Sequence, residues 1–347
     1  MYQYYPQGGV FLSTKSKILE ALEHAHGEWV TGGGLAAELG ISRTAVWKGV
    51  EAARRDGFRI DSVTGRGYRL VTAGDTLSPE SIRPYLTHPE MADRILVEPV
   101  TDSTNTDAKK LLLAGDTSTA AVFALRQNGG HGRKGRPFFS PPGGIYMSAI
   151  LHPRLEPDQI VLITTAACVC VCRAISHVTG CEPQIKWVND LFLNGKKICG
   201  ILTEAITDVE SGTIGAIVIG IGINYCLPED VIPEELRTIV GGIVTADEEH
   251  PPRGQMAAEI LNQLSQLEDM VRERSFIAEY RSRSMILGEE IRVISATGEY
   301  DATAIDIDQD GGLVTRTPDG RISALHSGEI TIRPKNFKKS IDTAGTV

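Results

Sequence analysis

The sequence predicts an α+β protein of several domains: a small helical domain with a β-hairpin, a central α/β domain with a mixed sheet, and a C-terminal β domain. Helical periodicity with turn signals covers residues 12–72, and strand-like and helical patterns mix over residues 93–284. Short β patterns broken by turns cover residues 285–335. Residues 73–92, rich in Thr, Pro and Asp, are interpreted as a linker, and residues 336–347 as a tail.

Composition favours an ordinary globular protein. Of the 347 residues, 41% are hydrophobic and 23% charged, and no run approaches the roughly eighteen apolar residues that a membrane span needs. The first residues have neither the basic nor the long apolar region of a signal peptide. We therefore expect a cytoplasmic protein without membrane association. The six cysteines include no C-x-x-C pair, so we expect neither a cysteine metal site nor disulfides.

The N-terminal pattern predicts three helices followed by a hairpin. The first helix runs through KSKILEALEHAHG, the second from about Thr31 to Gly40, and the third starts at Ser42, a good N-cap residue. In the third helix, Val46, Val50 and Ala53 form the buried stripe. FRIDSVTGRGYRLV then alternates apolar and polar residues around a T-G-R-G turn. This order is typical of a winged helix-turn-helix.

Charge distribution indicates the partner of this domain. The net charge is −9, yet residues 42–71 carry seven basic and three acidic side chains. A local basic face on an acidic protein indicates binding to nucleic acid. We expect DNA contacts from five residues of the recognition helix and one at the wing tip: Ser42, Arg43, Thr44, Trp47, Lys48 and Arg66. The alternative is a packing domain with solvated charges, in which Trp47 belongs to the core.

A loop rich in glycine, proline and basic residues, GGHGRKGRPFFSPPGG, covers residues 129–144 and contains G-x-G-x-x-G. The prolines after Gly135 forbid the helix that a dinucleotide site requires, and GKK at 195–197 lacks the other residues of a P-loop. Glycine amides and guanidinium groups nevertheless suit an anion, so the loop is predicted to close over a polyphosphate. A solvated loop or a DNA contact is the alternative.

Two further segments carry candidate site residues. IKWVNDLFLNGKKICGILTE (185–204) predicts a hairpin with a tight N-G turn and Lys186 at its mouth. AIVIGIGINY (216–225) predicts a buried strand, in which Gly220 and Gly222 remove side chains where a ligand could approach. A lysine at a hairpin mouth is harder to explain by packing than Trp187 beside it.

Together these motifs resemble the biotin protein ligase family and, with the N-terminal winged helix, its bifunctional ligase and repressor form. The resemblance covers residues 15–335. It rests on GHGRKGRPFFSP, KWVND, GILTE and GIGIN, with DSTN (102–105) and RQ (126–127) upstream. Any one motif is weak, but their order and spacing are specific. Two positions depart from the family pattern: His131 stands where a first loop arginine is usual, and Val188 where proline is usual.

The resemblance implies a fold and a two-step reaction. The central domain would resemble a class II aminoacyl-tRNA synthetase, and the C-terminal domain an SH3-like barrel, to which SGEI (327–330) also fits. Biotin and ATP, with Mg²⁺, would give biotinyl-5′-AMP and pyrophosphate. A lysine of a carboxyl-carrier protein would then take the biotinyl group. The adenylate would also act as corepressor and promote a homodimer that binds operator DNA and represses biotin genes.

The resemblance also implies residue roles. The catalytic residues would be Lys186, Arg133 and Arg136, with Lys186 between the biotin carboxylate and the α-phosphate. Biotin would be bound by Ser103, Thr104, Asn105, Gln127, His131, Gly132, Arg133 and Lys186. The nucleotide would be bound by Gly130, Lys134, Arg136, Phe138 and Asn189. Phe138 or Trp187 would wall the biotin or the adenine, and no protein metal ligand is expected.

Two other functions remain open. A sensor-only repressor would bind biotin without ligating it, although the basic loop residues and Lys186 argue against this. A lipoate-attaching ligase would share the central fold, but the DNA-binding domain, the C-terminal barrel and the KWVND and DSTN motifs favour biotin.

Overall fold

The computed structural model describes residues 14–25, 27–55, 58–72, 75, 77–207, 214–227, 231–245, 249–295, 298–326 and 331–334. The chain divides into two compact units. The first comprises Met1–Val97 and Pro251–Glu259, and the second Glu98–His250 and Ile260–Val347. The domain boundaries expected from the sequence stay a prediction.

The first unit begins with the predicted three helices and hairpin. Their bounds are α1 Thr14–His24, α2 Gly32–Leu39, α3 Arg43–Arg55, β1 Arg59–Val63 and β2 Gly67–Thr72. Thr31 caps α2 by accepting a hydrogen bond from the amide of Gly34, and Ser42 caps α3 by accepting one from Ala45. Val46, Val50 and Ala53 are fully buried. The predicted cap at Ser42, the buried stripe and the hairpin are therefore confirmed.

The predicted linker is folded where it is described. Short helix α4, Pro79–Ile82, is capped by Ser78, and 3₁₀ turns follow at Arg83–Tyr85 and Pro89–Arg94. Ile82 is fully buried. The described part of the predicted linker therefore contains a short helix and two 3₁₀ turns.

A seven-stranded sheet has the strand order β3-β4-β5-β9-β8-β7-β6, and its strands β4 to β9 lie in the second unit. The strands are β3 Ile95–Glu98, β4 Ala121–Ala124, β5 Ile145–Leu151, β6 Gln184–Lys186, β7 Asp190–Leu193, β8 Lys196–Thr207 and β9 Ile214–Ile223. Along the sheet, each neighbouring pair in the order β4-β5-β9-β8-β7-β6 is antiparallel. The isolated bridge between Thr101 and Gln127 is parallel. Helix α5, Thr104–Leu113, packs on β4, β5 and β9.

A buried helix supports the sheet and was not identified from the sequence. After short α6, Pro157–Ile160, helix α7 runs over Ile163–Thr179 and contains CVCVC. Over Asp158–Thr179 the chain is long and apolar enough to cross a membrane, with mean hydropathy 1.8, so the expectation that no run approaches a span was too strong. Because 67% of that window is buried inside the protein, α7 is accounted for as a core helix.

The remaining helices are α8 Arg253–Leu264, α9 Leu267–Glu273 and α10 Ile277–Ser282. The predicted C-terminal β domain follows as an antiparallel sheet with strand order β13-β12-β11-β10-β14. Its strands are β10 Glu290–Ser295, β11 Gly298–Ile307, β12 Leu313–Arg316, β13 Ile322–Leu325 and β14 Thr331–Pro334. The motif SGEI (327–330) and the predicted tail (336–347) lie outside the described residues.

Candidate active site

One cavity of the second unit brings together most of the predicted site residues. It is lined by residues of the DSTN segment, the basic loop, the KWVND segment and strands β8 and β9. The predicted residues in its lining are Ser103, Thr104, Asn105, Gln127, His131, Gly132, Arg133, Lys134, Arg136, Phe138, Lys186 and Asn189. Segments far apart in sequence therefore meet at one site.

Gly130 is the predicted site residue that does not line this cavity. A Cβ at Gly130 would lie 2.7 Å from Ser140 Oγ and 2.8 Å from Gln127 Nε2. This close packing explains why the position is occupied by glycine. Gly130 therefore supports Gln127 and the loop, and the cavity is lined by its neighbours.

The basic loop folds back on itself as a short hairpin between β4 and β5. The amide of Phe138 donates to the carbonyl of Gly130, and the amide of Gly132 donates to that of Arg136, each over 2.8 Å. A single 3₁₀ turn, Arg133–Gly135, forms its tip. No helix follows Gly135, as the prolines predicted, so this loop lacks the geometry of a dinucleotide site.

Positive charge gathers at one end of the cavity. Burial lowers the pKa of Arg133, the charge of Asp190 raises it, and that of Arg136 lowers it further, with a net decrease. An arginine so placed stays charged, because its ordinary pKa exceeds 12. Lys186 Nζ lies 5.6 Å from the centre of the Phe192 ring. This end suits a ligand with negative charge on more than one group.

The opposite end is neutral and hydrogen-bonded. Gln127 Oε1 accepts from the amide of Thr104 over 2.9 Å and lies 3.2 Å from its hydroxyl. Ser148 Oγ, on β5, lies 2.8 Å from Thr104 Oγ1 and 2.5 Å from Asn105 Oδ1. Asn105 Nδ2 donates to Glu204 Oε2 over 2.8 Å. Hydroxyl and amide groups are therefore concentrated around Thr104, Asn105, Gln127 and Ser148.

Ser148, Glu204 and Lys109 belong to this network, but sequence reasoning did not select them. Lys109 Nζ pairs with Glu204 Oε1 at 2.9 Å. Ser148 stands in the otherwise apolar strand IYMSAIL, and Glu204 closes the GILTE motif. A lone serine in a buried strand and a carboxylate closing a recognised motif were the available signals.

Glycines on β8 and β9 shape the floor of the cavity. Gly200 pairs with Gly222, and Leu202 with Gly220, in the antiparallel register of these strands. A Cβ at Gly222 would lie 2.5 Å from the Phe138 ring, and one at Gly220 would lie 2.1 Å from Asn105 Oδ1. The groups that approach these two glycines are protein side chains, whereas the predicted approach of a ligand or backbone stays a prediction.

Trp187 and Asn189 combine cavity lining with structural hydrogen bonds. Trp187 is 6% exposed, and its indole Nε1 donates to the carbonyl of Gly311 over 2.9 Å. Asn189 Nδ2 donates to the carbonyl of Ile201 over 2.7 Å. Phe138 lies against the glycine floor. Phe138 and Trp187, the two aromatic residues proposed as walls, therefore both contribute to the lining.

The winged-helix unit presents the predicted DNA-contacting face to solvent. Arg43, Thr44 and Lys48 are exposed, and Trp47 is 54% exposed, which excludes the alternative that Trp47 belongs to the core. Ser42 combines exposure with its capping role. At the wing, Arg66 lies 5.7 Å from the centre of the Trp29 ring. Trp29 was not among the residues predicted from the sequence.

Comparison with known proteins matches all three parts of the chain. The biotin/lipoate A/B protein ligase family matches residues 97–224, a helix-turn-helix domain matches residues 14–69, and the biotin protein ligase C-terminal domain matches residues 286–333. The bifunctional ligase/repressor BirA of Bacillus spizizenii is 31% identical over 327 residues, which cover 92% of this chain and 98% of that protein. BirA of Escherichia coli is 29% identical, covering 89% and 94%.

A solved structure is similar in fold to most of the chain. Biotin protein ligase from Aquifex aeolicus in complex with biotin and ATP has a TM-score of 0.58 at 26% identity, covering 70% of this chain and 99% of that one. Fold and site thus define a helix-turn-helix protein that carries a biotin/lipoate ligase domain. The chain belongs to the family of bifunctional biotin protein ligases and repressors.

Proposed function

We propose that this protein is an ATP-dependent biotin protein ligase that also acts as a biotin-responsive repressor. It forms biotinyl-5′-AMP and transfers the biotinyl group to a lysine of a carboxyl-carrier protein. The observation that carries the proposal is the division of one cavity into a neutral, hydrogen-bonding end and a cationic end. Biotin combines an uncharged polar ring with a carboxylate, and ATP brings further negative charge.

The sheet supports this orientation of the substrate. Ser148 lies on β5 and Lys186 at the end of β6, and β9, β8 and β7 separate these strands. At about 4.8 Å per strand, the backbones of β5 and β6 are about 19 Å apart. An extended ligand with its ring over β5 and β9 directs its carboxylate towards Lys186.

In the first step, a carboxylate oxygen of biotin attacks the α-phosphorus of ATP, and the bond to the β-phosphate oxygen breaks to release pyrophosphate. The reacting groups repel each other because both are anionic, so fixed cations lower the barrier. Lys186 bridges carboxylate and α-phosphate, and Arg133 and Arg136 hold the anionic groups. Gly132 and His131 line the biotin side, while Lys134, Phe138 and Asn189 bind the nucleotide.

In the second step, the amine of the acceptor lysine attacks the acyl carbon, and AMP leaves with the bonding electrons. An acyl adenylate is already activated, so holding the amine close to it supplies most of what the step requires. The proton lost by the amine passes to solvent or to the departing phosphate.

Mg²⁺ fits the site through substrate oxygens. Among the described residues no group of three or more His, Cys, Asp or Glu could hold a metal ion. Mg²⁺ is ordinarily bound by one or two carboxylates together with phosphates and water. Asp190 lines the cavity, although its Oδ1 lies 2.6 Å from Lys197 Nζ. When bound, Mg²⁺ would neutralise phosphate charge, and Asp190 is the lining carboxylate that would approach it.

The remaining expectations form part of the same proposal. The central sheet belongs to the class II synthetase-like type and the C-terminal sheet to the SH3-like type, within the domain boundaries given above. The adenylate-bound protein forms a homodimer that offers two recognition helices to an operator. A cytoplasmic location follows from these partners, DNA and a carrier protein.

Pyrophosphate release on mixing protein, Mg²⁺-ATP and biotin tests the activity. Release should depend on biotin and fall about 10²-fold in Lys186→Ala, because a positioned cation is removed from the transition state. Lys196→Ala, which removes an exposed lysine at the start of β8, is the charge-matched control. Lipoate in place of biotin tests the related ligase activity. Biotin binding without release would contradict the ligase proposal and leave a ligand-sensing repressor.

A further inference from the structure

The neutral end of the cavity is backed by a chain of hydrogen bonds that ends on a carboxylate. It runs from Glu204 through Asn105 and Ser148 to Thr104. Asn105 and Thr104 line the cavity, whereas Glu204 and Ser148 lie behind the lining. The direction of each hydrogen bond follows from which atoms carry protons.

The carboxylate sets the orientation of Asn105. Burial raises the pKa of Glu204, but hydrogen bonds from Lys109 and Asn105 and the charge of Lys109 outweigh it, so the net pKa lies below its usual value. An ionised carboxylate only accepts hydrogen bonds, so the Asn105 amide must turn Nδ2 towards it. Nδ2 also lies 3.5 Å from the carbonyl of Leu202, and both of its protons thus have protein partners.

The orientation of Asn105 then determines that of Ser148. Asn105 Oδ1 carries no proton, so the 2.5 Å contact requires Ser148 to donate. Ser148 has a single hydroxyl proton and is fully buried. Having used this proton, Ser148 can only accept in its 2.8 Å contact with Thr104.

Thr104 is the last residue in this series of hydrogen bonds. Its hydroxyl proton goes either to Ser148 Oγ or to Gln127 Oε1, which lies 3.2 Å away, and both are acceptors. The amide of Thr104 donates to the same Gln127 oxygen, which keeps that oxygen turned towards Thr104. In either arrangement Thr104 Oγ1 offers the cavity a lone pair and no proton.

We infer that Glu204 and Ser148 determine substrate specificity from behind the cavity wall, by making Thr104 and Asn105 acceptors for the N–H groups of a cyclic urea. The inference rests on the proposed function and deepens it. A ureido ring presents two N–H donors to these two oxygens, whereas the dithiolane ring of lipoate presents none. Glu204 and Ser148 are positioning residues, since they act through Asn105 and Thr104.

Gly220 contributes to the same arrangement of Asn105 and Ser148. Any side chain there would put a Cβ 2.1 Å from Asn105 Oδ1 and displace the amide. The glycine therefore holds the space in which the Asn105 oxygen can face both Ser148 and the ligand.

The test compares dissociation constants of biotin, lipoate and ATP for the full-length wild type and Ser148→Ala, by calorimetry. Ser148→Ala removes the hydroxyl that donates to Asn105 Oδ1 and one of the two acceptors of the Thr104 hydroxyl among the described residues. Biotin affinity should fall by about tenfold or more, because the buried Asn105 oxygen loses the donor that orients it and only Gln127 remains to hold the Thr104 proton away from the ureido N–H. Affinity for ATP, and any affinity for lipoate, should change by less than about twofold, an effect below the strength of one hydrogen bond.

Two further variants distinguish a change in the hydrogen bonds to biotin from a general disruption of the site. Glu204→Gln keeps the size of the side chain but can donate as well as accept, so it should lower biotin affinity in the same selective way without removing a buried hydroxyl. Thr203→Val removes a hydroxyl from the same strand as Glu204. This hydroxyl lies 2.9 Å from Thr164 Oγ1 and takes no part in the hydrogen bonds between Glu204 and Thr104, so its loss should leave biotin affinity unchanged.

The outcomes separate the two claims. A wild type that binds no biotin overturns the proposed function. A wild type that binds biotin, with Ser148→Ala and Glu204→Gln binding it equally well, overturns the inference alone. Equal losses of biotin and ATP affinity in these variants would also overturn it, because they would indicate general disruption of the site.

Discussion

Trp187 donates its indole N–H to the backbone carbonyl of Gly311, with 2.9 Å between Nε1 and O. This bond joins the segment beside Lys186 to the turn between β11 and β12. Arg274 holds the same turn, with Nη1 2.6 Å from Asp310 Oδ1, and Arg281 pairs with Asp306 at the same distance. The C-terminal sheet therefore helps to fix the position of a residue adjacent to the proposed catalytic lysine.

Replacing Trp187 by Phe should lower the free energy of unfolding by about 1–3 kcal/mol, because the buried carbonyl of Gly311 loses its donor while most of the ring is kept. Trp187→Ala should cost more, about 3–5 kcal/mol, since it also leaves a cavity. Denaturant unfolding measures both. Wild-type stability of Trp187→Phe would show that the bond contributes nothing.

The paired glycines of the cavity floor should differ in their tolerance of alanine. At Gly222 a Cβ would lie 2.5 Å from the Phe138 ring, so the ring must move. At Gly200 the same atom would lie 3.2 Å from that ring, which a small shift relieves. We expect Gly222→Ala to raise the KM for ATP about tenfold or more, in line with a displaced aromatic contact, and Gly200→Ala much less. Equal effects would contradict the role of Phe138 in nucleotide binding.

Lys48→Ala should weaken binding to duplex DNA and reduce the dependence of log Kd on log salt by about 0.9, as expected when one phosphate contact is lost. Lys196→Ala removes the same charge from the exposed start of β8 in the second unit and should change neither quantity. Fluorescence anisotropy across a salt series measures both. Parallel losses in the two variants would point to net charge, in conflict with a specific contact from α3.

The buried cysteines should resist alkylation in the native protein. Burial raises the pKa of Cys170 and of Cys172, each to about 12, so the reactive thiolate is scarce at pH 8. Cys181 is partly exposed and should react first with iodoacetamide. Mass spectrometry of protein labelled with and without denaturant measures the order of reaction. Early labelling of Cys170 or Cys172 would contradict a closely packed α7.

Much of the N-terminal unit could be predicted from the sequence because its signals are local. The cap at Ser42, the stripe formed by Val46, Val50 and Ala53, and the turn of the wing each depend on residues a few positions apart. The motif residues of the cavity could be named for a related reason, since short motifs retain their order and spacing along the chain. The exposure of Trp47 needed the packed structure, because its helical position alone allowed either face.

Other features were decided by tertiary packing. Helix α7 was missed because a helix buried on nearly every side shows no amphipathic stripe. Ser148 and Glu204 are 56 residues apart and become linked through Asn105 only when β5, β9 and β8 form one sheet. The sequence by itself determined which chemical groups are available and which local elements carry them. The tertiary structure decided which of these groups share protons, because hydrogen bonds depend on distances that chain order does not contain.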